Sequence, residues 1–159
     1  TTIPLRNLRR IKESALALYD IQHPVIAKVR GVAAGAGLNL ALGCDLIYAS
    51  DNARFSEVFA RRGLSIDFGG SWLLPRRVGL HRAKELVFLA EVIDAVEADR
   101  IGLVNRVIPD AELDAYVADI VERTAAGCRC PQDCSRRLRT AARRKCGPQT
   151  VRQEEATHG

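Results

Sequence analysis

The sequence contains no long apolar run. No stretch of its 159 residues reaches the ~18 consecutive apolar residues that identify a membrane-spanning helix. The first residues also lack the apolar core of a secretory signal, because several arginines and a lysine fall there on a helical pattern. We therefore expect a globular protein of cytoplasmic location, with no membrane span.

Most of the chain also lacks net charge. Residues 1–126 contain 16 Lys and Arg against 16 Asp and Glu, whereas residues 127–159 contain 8 against 3, so the net charge of +5 belongs to the C-terminal end. Aromatic residues make up 5% of the chain and do not interleave with these arginines. Stacking of bases on aromatic rings is therefore missing, and nucleic acid is not the expected partner.

Paired metal-binding cysteines are missing as well. Four of the five cysteines lie in the basic end without C-x2-C spacing, and the three histidines show no metal spacing, so we predict no metal site. Apolar periodicity fades where these cysteines and arginines accumulate. We accordingly predict a core over residues 1–126 and a basic Cys/Arg-rich tail over 127–159. The tail cysteines are Cys128, Cys130, Cys134 and Cys146.

Helix and strand patterns alternate along the core. Apolar residues recur at helical spacing from Leu5 to Leu18, and His23-Pro24 ends that helix. Asp110 is predicted to cap the last helix. Repeated alternation of this kind indicates an α/β fold. Further strands are predicted over 25–29, 45–50, 53–57 and 103–108, and helices over 38–43, 58–63, 71–77, 80–91 and 95–102.

A glycine-spaced turn opens the stretch "VRGVAAGAGLNLALGCDLIYAS", residues 29–50. It is not a dinucleotide fingerprint, because Leu40 stands where the third glycine would be, and it lacks the Gly-Lys-Ser/Thr of a P-loop. A strand, a turn and a helix N-terminus remain. Free N–H groups there suit negative charge, but Gly35 and Gly37 also suit close packing of the helix on the strand. The turn alone leaves both readings open.

The downstream segments resolve the choice. "HPVIAKVRGVAAGAGLNLALGCDLIYASDNARFSEV", "RRGLSIDFGGSWLLPRRVGLHRAKEL" and "EADRIGLVNRVIP" follow one another with matching gaps and resemble the crotonase superfamily of enoyl-CoA hydratases and isomerases. The resemblance covers about residues 15–126. It implies a crotonase-like fold, a ββα spiral, that is incomplete here because the segments matching the family's N-terminal part are absent and the tail does not resemble its C-terminal helices.

The resemblance assigns a role to the turn. In this family a backbone N–H of the turn donates to the thioester oxygen of an acyl-CoA, and the matching residue is Ala36, with Gly35 and Gly37 forming the substrate-binding turn. Hydratases of the family use two glutamates to add water to a double bond. Asn39 and Phe59 occupy those two positions, so the resemblance does not imply ordinary hydration here.

Asp67 provides a different chemistry. It lies in "GLSIDFGG", where isomerases of the family look similar and carry an aspartate that shuttles a proton between two carbons, and dehalogenase-type relatives use an aspartate near this point as a nucleophile. The alternative is that Asp67 caps the helix that begins near Gly70 or stabilises the turn. We favour catalysis because both glutamates are replaced. Glu57, two residues before Phe59, is expected to be a solvated charge, and Cys44 to be a core residue.

Three functional hypotheses follow. The favoured one is an enzyme that acts on an acyl-CoA by isomerase-type proton transfer from Asp67, needs no cofactor besides the coenzyme A of its substrate, and assembles as a trimer or hexamer by family resemblance. The second is a weak or inactive fragment that depends on a partner chain for the N-terminal half. The third is binding of nucleic acid by the basic tail.

Overall fold

The computed structural model describes residues 5–127, with the side chains of residues 10–126. Helices and strands alternate along this range as expected for an α/β fold. The helices are α1 (Leu5–Tyr19), α2 (Ala36–Leu42), α3 (Gly70–Val78), α4 (Leu80–Leu89), α5 (Ala95–Arg100) and α6 (Leu113–Gly127). The strands are β1 (Ile26–Val29), β2 (Val32–Ala34), β3 (Leu46–Ser50), β4 (Arg54–Ser56), β5 (Ile93–Asp94) and β6 (Arg106–Ile108).

The strands form two small sheets, and consecutive strands of the chain alternate between them. The first sheet has the order β1–β3–β6 and is parallel throughout. In the second, β2 pairs in parallel with β4, which pairs antiparallel with β5. The chain therefore runs β1, β2, α2 and then β3, β4, α3. This confirms the ββα repeat that the resemblance implied.

The core lies between the sheets and the helices α2 to α5. Phe55 of β4, Leu38 of α2 and Leu74 of α3 are among its fully buried side chains. Burial of one such side chain stabilises the folded chain by ~1.5–3 kcal/mol. A smaller cluster of Tyr48, Ile108 and Leu113 packs α6 against the first sheet. The two clusters hold the chain segments that carry the candidate site.

Charged side chains also fasten α6. Arg30, after β1, donates from Nε to Asp110 Oδ1 at 2.9 Å and from Nη1 to Asp114 Oδ2 at 3.0 Å, and Lys28 pairs with Asp114. The prediction that the Asp110 side chain caps the last helix is therefore wrong. Its carboxylate accepts from Arg30 and from Ser50 Oγ at 2.7 Å, and α6 begins three residues later.

The other predicted elements differ from the observed ones mainly in the turns. The stretch taken as a glycine turn contains a three-residue strand, β2, because residues 32–34 pair with β4. The helical prediction over 58–63 reduces to a single 3₁₀ turn, Ala60–Arg62, which Gly63 ends in a left-handed conformation. Both segments are too short to fix their own secondary structure, so contacts with the rest of the fold decide it.

Residues 128–159 lie outside the described range, and with them the four tail cysteines and the whole net charge of +5. The predicted domain division and tail-binding hypothesis therefore stay predictions. Within residues 5–127, no helix has the length and apolar character needed to cross a membrane. The same range contains no group of three metal-ligating side chains.

Candidate active site

Gly35 sets the geometry of the turn that precedes α2. Its φ of 54° and ψ of −120° suit glycine, and its N–H donates to Ser56 O at 2.8 Å. An added Cβ would lie 3.3 Å from Val58 Cγ2 and 3.4 Å from Phe59 Cζ. Gly35 is thus required by both its conformation and its packing. Gly37 is not, since a Cβ there meets no described atom within 4 Å.

This turn makes Ala36 the first residue of α2. An N–H at this position has no partner within its own helix, and Gly35 provides no side chain to cap it. The amide that the resemblance assigned to the oxyanion is therefore free of helical hydrogen bonding. A proline fits this first position of a helix without disturbing it, which gives a direct way to remove the N–H.

Asn39 lies one turn further along α2 and is completely buried. Its Nδ2 donates to the backbone oxygen of Asp67 at 3.1 Å. Its carboxamide presses against the backbone of Gly70, where any added Cβ would overlap it. The residue at the first lost glutamate position thus connects α2 to the turn that precedes α3.

That turn, residues 67–70, contains Asp67. Gly70 N donates to Asp67 O at 2.8 Å, while Phe68 has a φ of 52° and Gly69 a φ of 82°. Left-handed backbone is unfavourable for phenylalanine and persists because the surroundings hold it. The Asp67 side chain does not cap α3, whose N-cap is Gly69.

The Asp67 carboxylate is partly withdrawn from solvent. Its Oδ1 is buried and has no hydrogen-bond partner among the described residues. Burial raises the pKa of Asp67 above its usual value, because a charge is less stable where solvent is excluded. A carboxylate of this kind is a stronger base than a solvated one.

Glu57, immediately after β4, is the main correction to the sequence expectation. It is not a solvated charge, since only 1% of it is exposed, and neither carboxyl oxygen has a hydrogen-bond partner in the described part of the chain. Burial raises the pKa of Glu57 to about 7; the neighbouring Asn39 carboxamide acts to lower it, and the Asp67 charge acts to raise it. Three polar side chains therefore meet here: Asn39, Glu57 and Asp67.

Phe59, at the second lost glutamate position, plays an apolar part. It is buried, and its ring packs on the Gly35 backbone. A cavity of about 260 Å³ has Asn39 among its lining residues. Its walls come from α1, α2 and α3 and from the turn at Phe68, and they are mostly apolar. A polar cluster thus borders an apolar cavity.

A family model described as enoyl-CoA hydratase/isomerase matches residues 8–158. The chain belongs to this family. The match extends beyond the range over which the resemblance was recognised and takes in most of residues 127–159. The predicted division of the chain at residue 127 stays a prediction.

Individual members of the enoyl-CoA hydratase/isomerase family support the fold. A probable enoyl-CoA hydratase of Rhodobacter capsulatus is 47% identical over 100 residues, covering 63% of this chain and 39% of that protein. The 1,2-epoxyphenylacetyl-CoA isomerase of Escherichia coli is 44% identical over 96 residues, covering 60% and 37%. The chain thus spans about two fifths of the length of these relatives.

A solved structure of the family shows the same fold. It is a putative enoyl-CoA hydratase from Thermobifida fusca in complex with acetoacetyl-CoA, with a TM-score of 0.76 and 37% identity. The alignment covers 87% of this chain and 53% of that one. The crotonase-like fold predicted from the sequence is thereby confirmed, as a part of the longer family fold.

Sequence reasoning found most of the side chains that meet at this candidate site, but it missed Glu57. The structure brings Asn39 and Asp67 together and places Phe59 against Gly35. A signal for Glu57 was present, because it is the last residue of the predicted strand "ARFSE" and the apolar "VF" follows it directly. A charged residue beside apolar positions of a strand is unusual without a polar partner or a function.

Proposed function

We propose that this chain is part of an enzyme that acts on an acyl-CoA thioester, with Asp67 carrying a proton between two carbons in an isomerase-type reaction. The observation that carries the proposal is the environment of Asp67. It is a partly buried carboxylate of raised pKa, and its backbone oxygen accepts from Asn39, which lies one turn along α2 from Ala36. In this site Asn39 and Phe59 replace both family glutamates.

The proposed step begins with removal of a proton. An Asp67 carboxylate oxygen takes H⁺ from a carbon of the acyl chain, and the electron pair left behind moves towards the thioester carbonyl, giving an enolate. Return of the same proton to another carbon of the conjugated system shifts the double bond. Nothing is oxidised or reduced, so the step needs no cofactor apart from the coenzyme A of the substrate.

The Ala36 amide stabilises the negative oxygen of that enolate in this mechanism. A preorganised N–H directed at an oxyanion contributes about 10²- to 10³-fold in rate, or roughly 3–4 kcal/mol. Glycine at position 35 lets the backbone approach a ligand here without a side chain in the way. A second oxyanion donor, which the family resemblance implies, is not assigned to any residue of the described range.

Hydration is the less favoured reaction at this site. Adding water requires one group to activate the water and another to handle the proton at the α carbon, and each such group contributes about 10²- to 10⁴-fold. The Asn39 carboxamide has no proton to exchange and Phe59 has no polar atom. One carboxylate suffices for a proton shuttle, which favours isomerisation.

The relatives support the substrate class. The names of both curated relatives specify coenzyme A thioesters as substrates, one hydrated and one isomerised, and the solved hydratase contains acetoacetyl-CoA. The apolar cavity beside Asn39 has the chemistry that an acyl chain needs. Acyl-CoA is therefore the proposed ligand of this chain.

Calorimetric titration with an acyl-CoA tests the proposal first. Saturable binding is expected, and turnover is then followed by formation of the conjugated 2-enoyl thioester from a 3-enoyl-CoA. Free coenzyme A is the control for binding through the nucleotide alone. Absence of both binding and turnover would reject the acyl-CoA function.

A second candidate is dependence on another chain, and exposed apolar side chains near the end of α4 and in α5 favour it. Phe88 and Val96 are 71% and 72% exposed, and Leu89 and Val92 beside them in sequence are more than half exposed. Exposed apolar groups of this kind suit an interface. We expect a homo-oligomer, a trimer or hexamer, or a complex with a partner chain, and cytoplasmic location remains part of the proposal. Light scattering that shows a monodisperse monomer would reject the assembly.

A further inference from the structure

The apolar cavity lies directly beside the proposed proton carrier. Phe68 and Gly69, the two residues that follow Asp67, line it together with Asn39. Asn39 also donates to the Asp67 backbone oxygen at 3.1 Å. The cavity is thus bounded by residues that adjoin Asp67 in the chain or hold its backbone. An acyl chain whose reacting carbons meet Asp67 has this cavity as the adjacent apolar space.

Trp72 contributes the largest side chain to the cavity wall. It lies one helical turn from Gly69, so both residues face the cavity from the same side of α3, as does Leu73. The facing wall comes from the last turns of α1 and includes Leu18 and Tyr19. The indole therefore determines how much of the space between α1 and α3 stays open.

The ring of Trp72 is held from two directions. Tyr19 meets it edge-on, with ring centres 6.2 Å apart and planes at 84°. The Arg76 guanidinium lies 4.0 Å from the centre of the ring, and its Nη1 donates to Trp72 O at 2.8 Å. Edge-to-face aromatic pairs and cations over an indole face both favour one ring orientation. Trp72 is therefore a rigid part of the wall.

We propose that Trp72 is a specificity-determining residue of this site: its indole sets the length of the acyl chain that the cavity accepts. This inference rests on the proposed acyl-CoA function. Since a cavity of about 150 Å³ holds benzene, the cavity of about 260 Å³ has room for roughly ten carbon atoms. The space suits a chain of medium length, and a longer chain meets the indole.

The proposal predicts how affinity depends on chain length. Each CH₂ group that enters an apolar cavity raises affinity about fourfold. The rise should stop at the length that fills the space in front of Trp72. In Trp72→Ala the surroundings fill the vacated space only partly, so the rise should continue to longer chains.

The experiment titrates saturated acyl-CoAs of four to sixteen carbons into the parent, Trp72→Ala and Val121→Ala, with calorimetry as the readout. In Trp72→Ala, the affinity for the sixteen-carbon chain relative to the eight-carbon chain should rise about tenfold or more, as expected when a misfit in an apolar pocket is relieved. Val121 is 49% exposed on α6, so Val121→Ala should keep the length profile of the parent. Circular dichroism checks that both variants fold.

A second measurement uses the parent alone. Trp72 is the only tryptophan of the chain, so its fluorescence reports on this cavity without any substitution. An eight-carbon acyl-CoA should change the emission of Trp72, whereas free coenzyme A should leave it unchanged.

Two results would overturn the proposal. One is a folded Trp72→Ala protein with the length profile of the parent. The other is a parent that binds the eight-carbon acyl-CoA in the calorimeter without any change in Trp72 emission. Both leave the acyl-CoA function in place. Failure of that function gives a different result, because the parent then binds no acyl-CoA of any length, and this inference is rejected with it.

Discussion

Two groups of carboxylates in this molecule differ in their partners and in the direction of their pKa shifts. Asp110 and Asp114 are about half exposed beside Arg30 and Lys28, and the hydrogen bonds from Ser50, Arg30 and Lys28 lower the pKa of these two carboxyls. Glu57 is buried and Asp67 partly buried, neither pairs with a cation among the described residues, and burial raises the pKa of each. The paired set fastens α6 to the sheet, whereas the unpaired set has no structural need of charge.

The comparison shows how to separate chemistry from structure in a chain with many acidic residues. Unpaired buried carboxyls cost stability and are retained at sites that use them. Surface pairs gain little and are screened by salt. The experiments below remove members of one set and compare them with members of the other.

Replacement of Asp67 should have the largest effect. Asp67→Asn keeps the shape of the side chain and removes its ability to take a proton, so turnover of a 3-enoyl-CoA should fall about 10²- to 10⁴-fold. Asp110→Asn is the matched control from the surface set and should leave turnover unchanged. Steady-state kinetics with circular dichroism makes the comparison. Activity that survives in Asp67→Asn would remove Asp67 from the mechanism.

Removal of the Ala36 amide should have the next largest effect. Ala36→Pro deletes the N–H at the first position of α2, where proline fits, so turnover or binding of an enolate-like analogue should fall about 10²-fold while the fold is kept. Gly37→Ala is the control, because a Cβ there meets nothing in the described structure within 4 Å. Gly35→Ala is unsuitable, since Gly35 is left-handed and crowded. A folded Ala36→Pro protein with parental turnover and analogue affinity would leave the turn a packing role only.

The pH dependence of stability distinguishes the two sets of carboxyls directly. The pKa of Glu57 is raised from 4.5 to about 7, so the folded protein holds a proton that the unfolded chain releases between these values. The free energy of unfolding from this group therefore decreases as pH rises through that window, by about 3 kcal/mol at most. Urea denaturation at several pH values measures it. In Glu57→Gln this part of the slope should vanish, and an unchanged slope would contradict the buried carboxyl.

A surface carboxylate should give the smallest effect and the opposite sign. The pKa of Asp114 is lowered, so its contribution is present above the usual aspartate pKa and is lost as pH falls through the lowered value. Asp114→Asn should reduce the denaturation midpoint slightly at neutral pH and less in high salt, because exposed pairs are screened. If Asp114→Asn lost as much unfolding free energy as replacement of a buried group, and the loss did not depend on salt, the distinction between the two sets would be contradicted.

The family resemblance and the local patterns located most elements, and they named three of the four side chains that the structure brings together at the candidate site. Asn39, Phe59 and Asp67 were found because each lies in a segment whose letters match the family. The strand β2 was missed because its three residues become a strand only by pairing with β4. Glu57 was misjudged for a related reason. The elements that bury it, α2 and the loop before α3, are distant from it in the sequence.

The sequence by itself determined the family, the alternation of helices and strands, and the positions of the glycine turn and of Asp67. Those properties follow from residue type and spacing along the chain. Only the tertiary structure decided that Gly35 is required and Gly37 is not, and that Asn39 joins α2 to the 67–70 turn. It also decided that Glu57 is buried with no hydrogen bond to either carboxyl oxygen from the residues described. The physical reason is that solvent exclusion and side-chain contact depend on distances in space. Those distances arise when segments far apart in the sequence pack against one another.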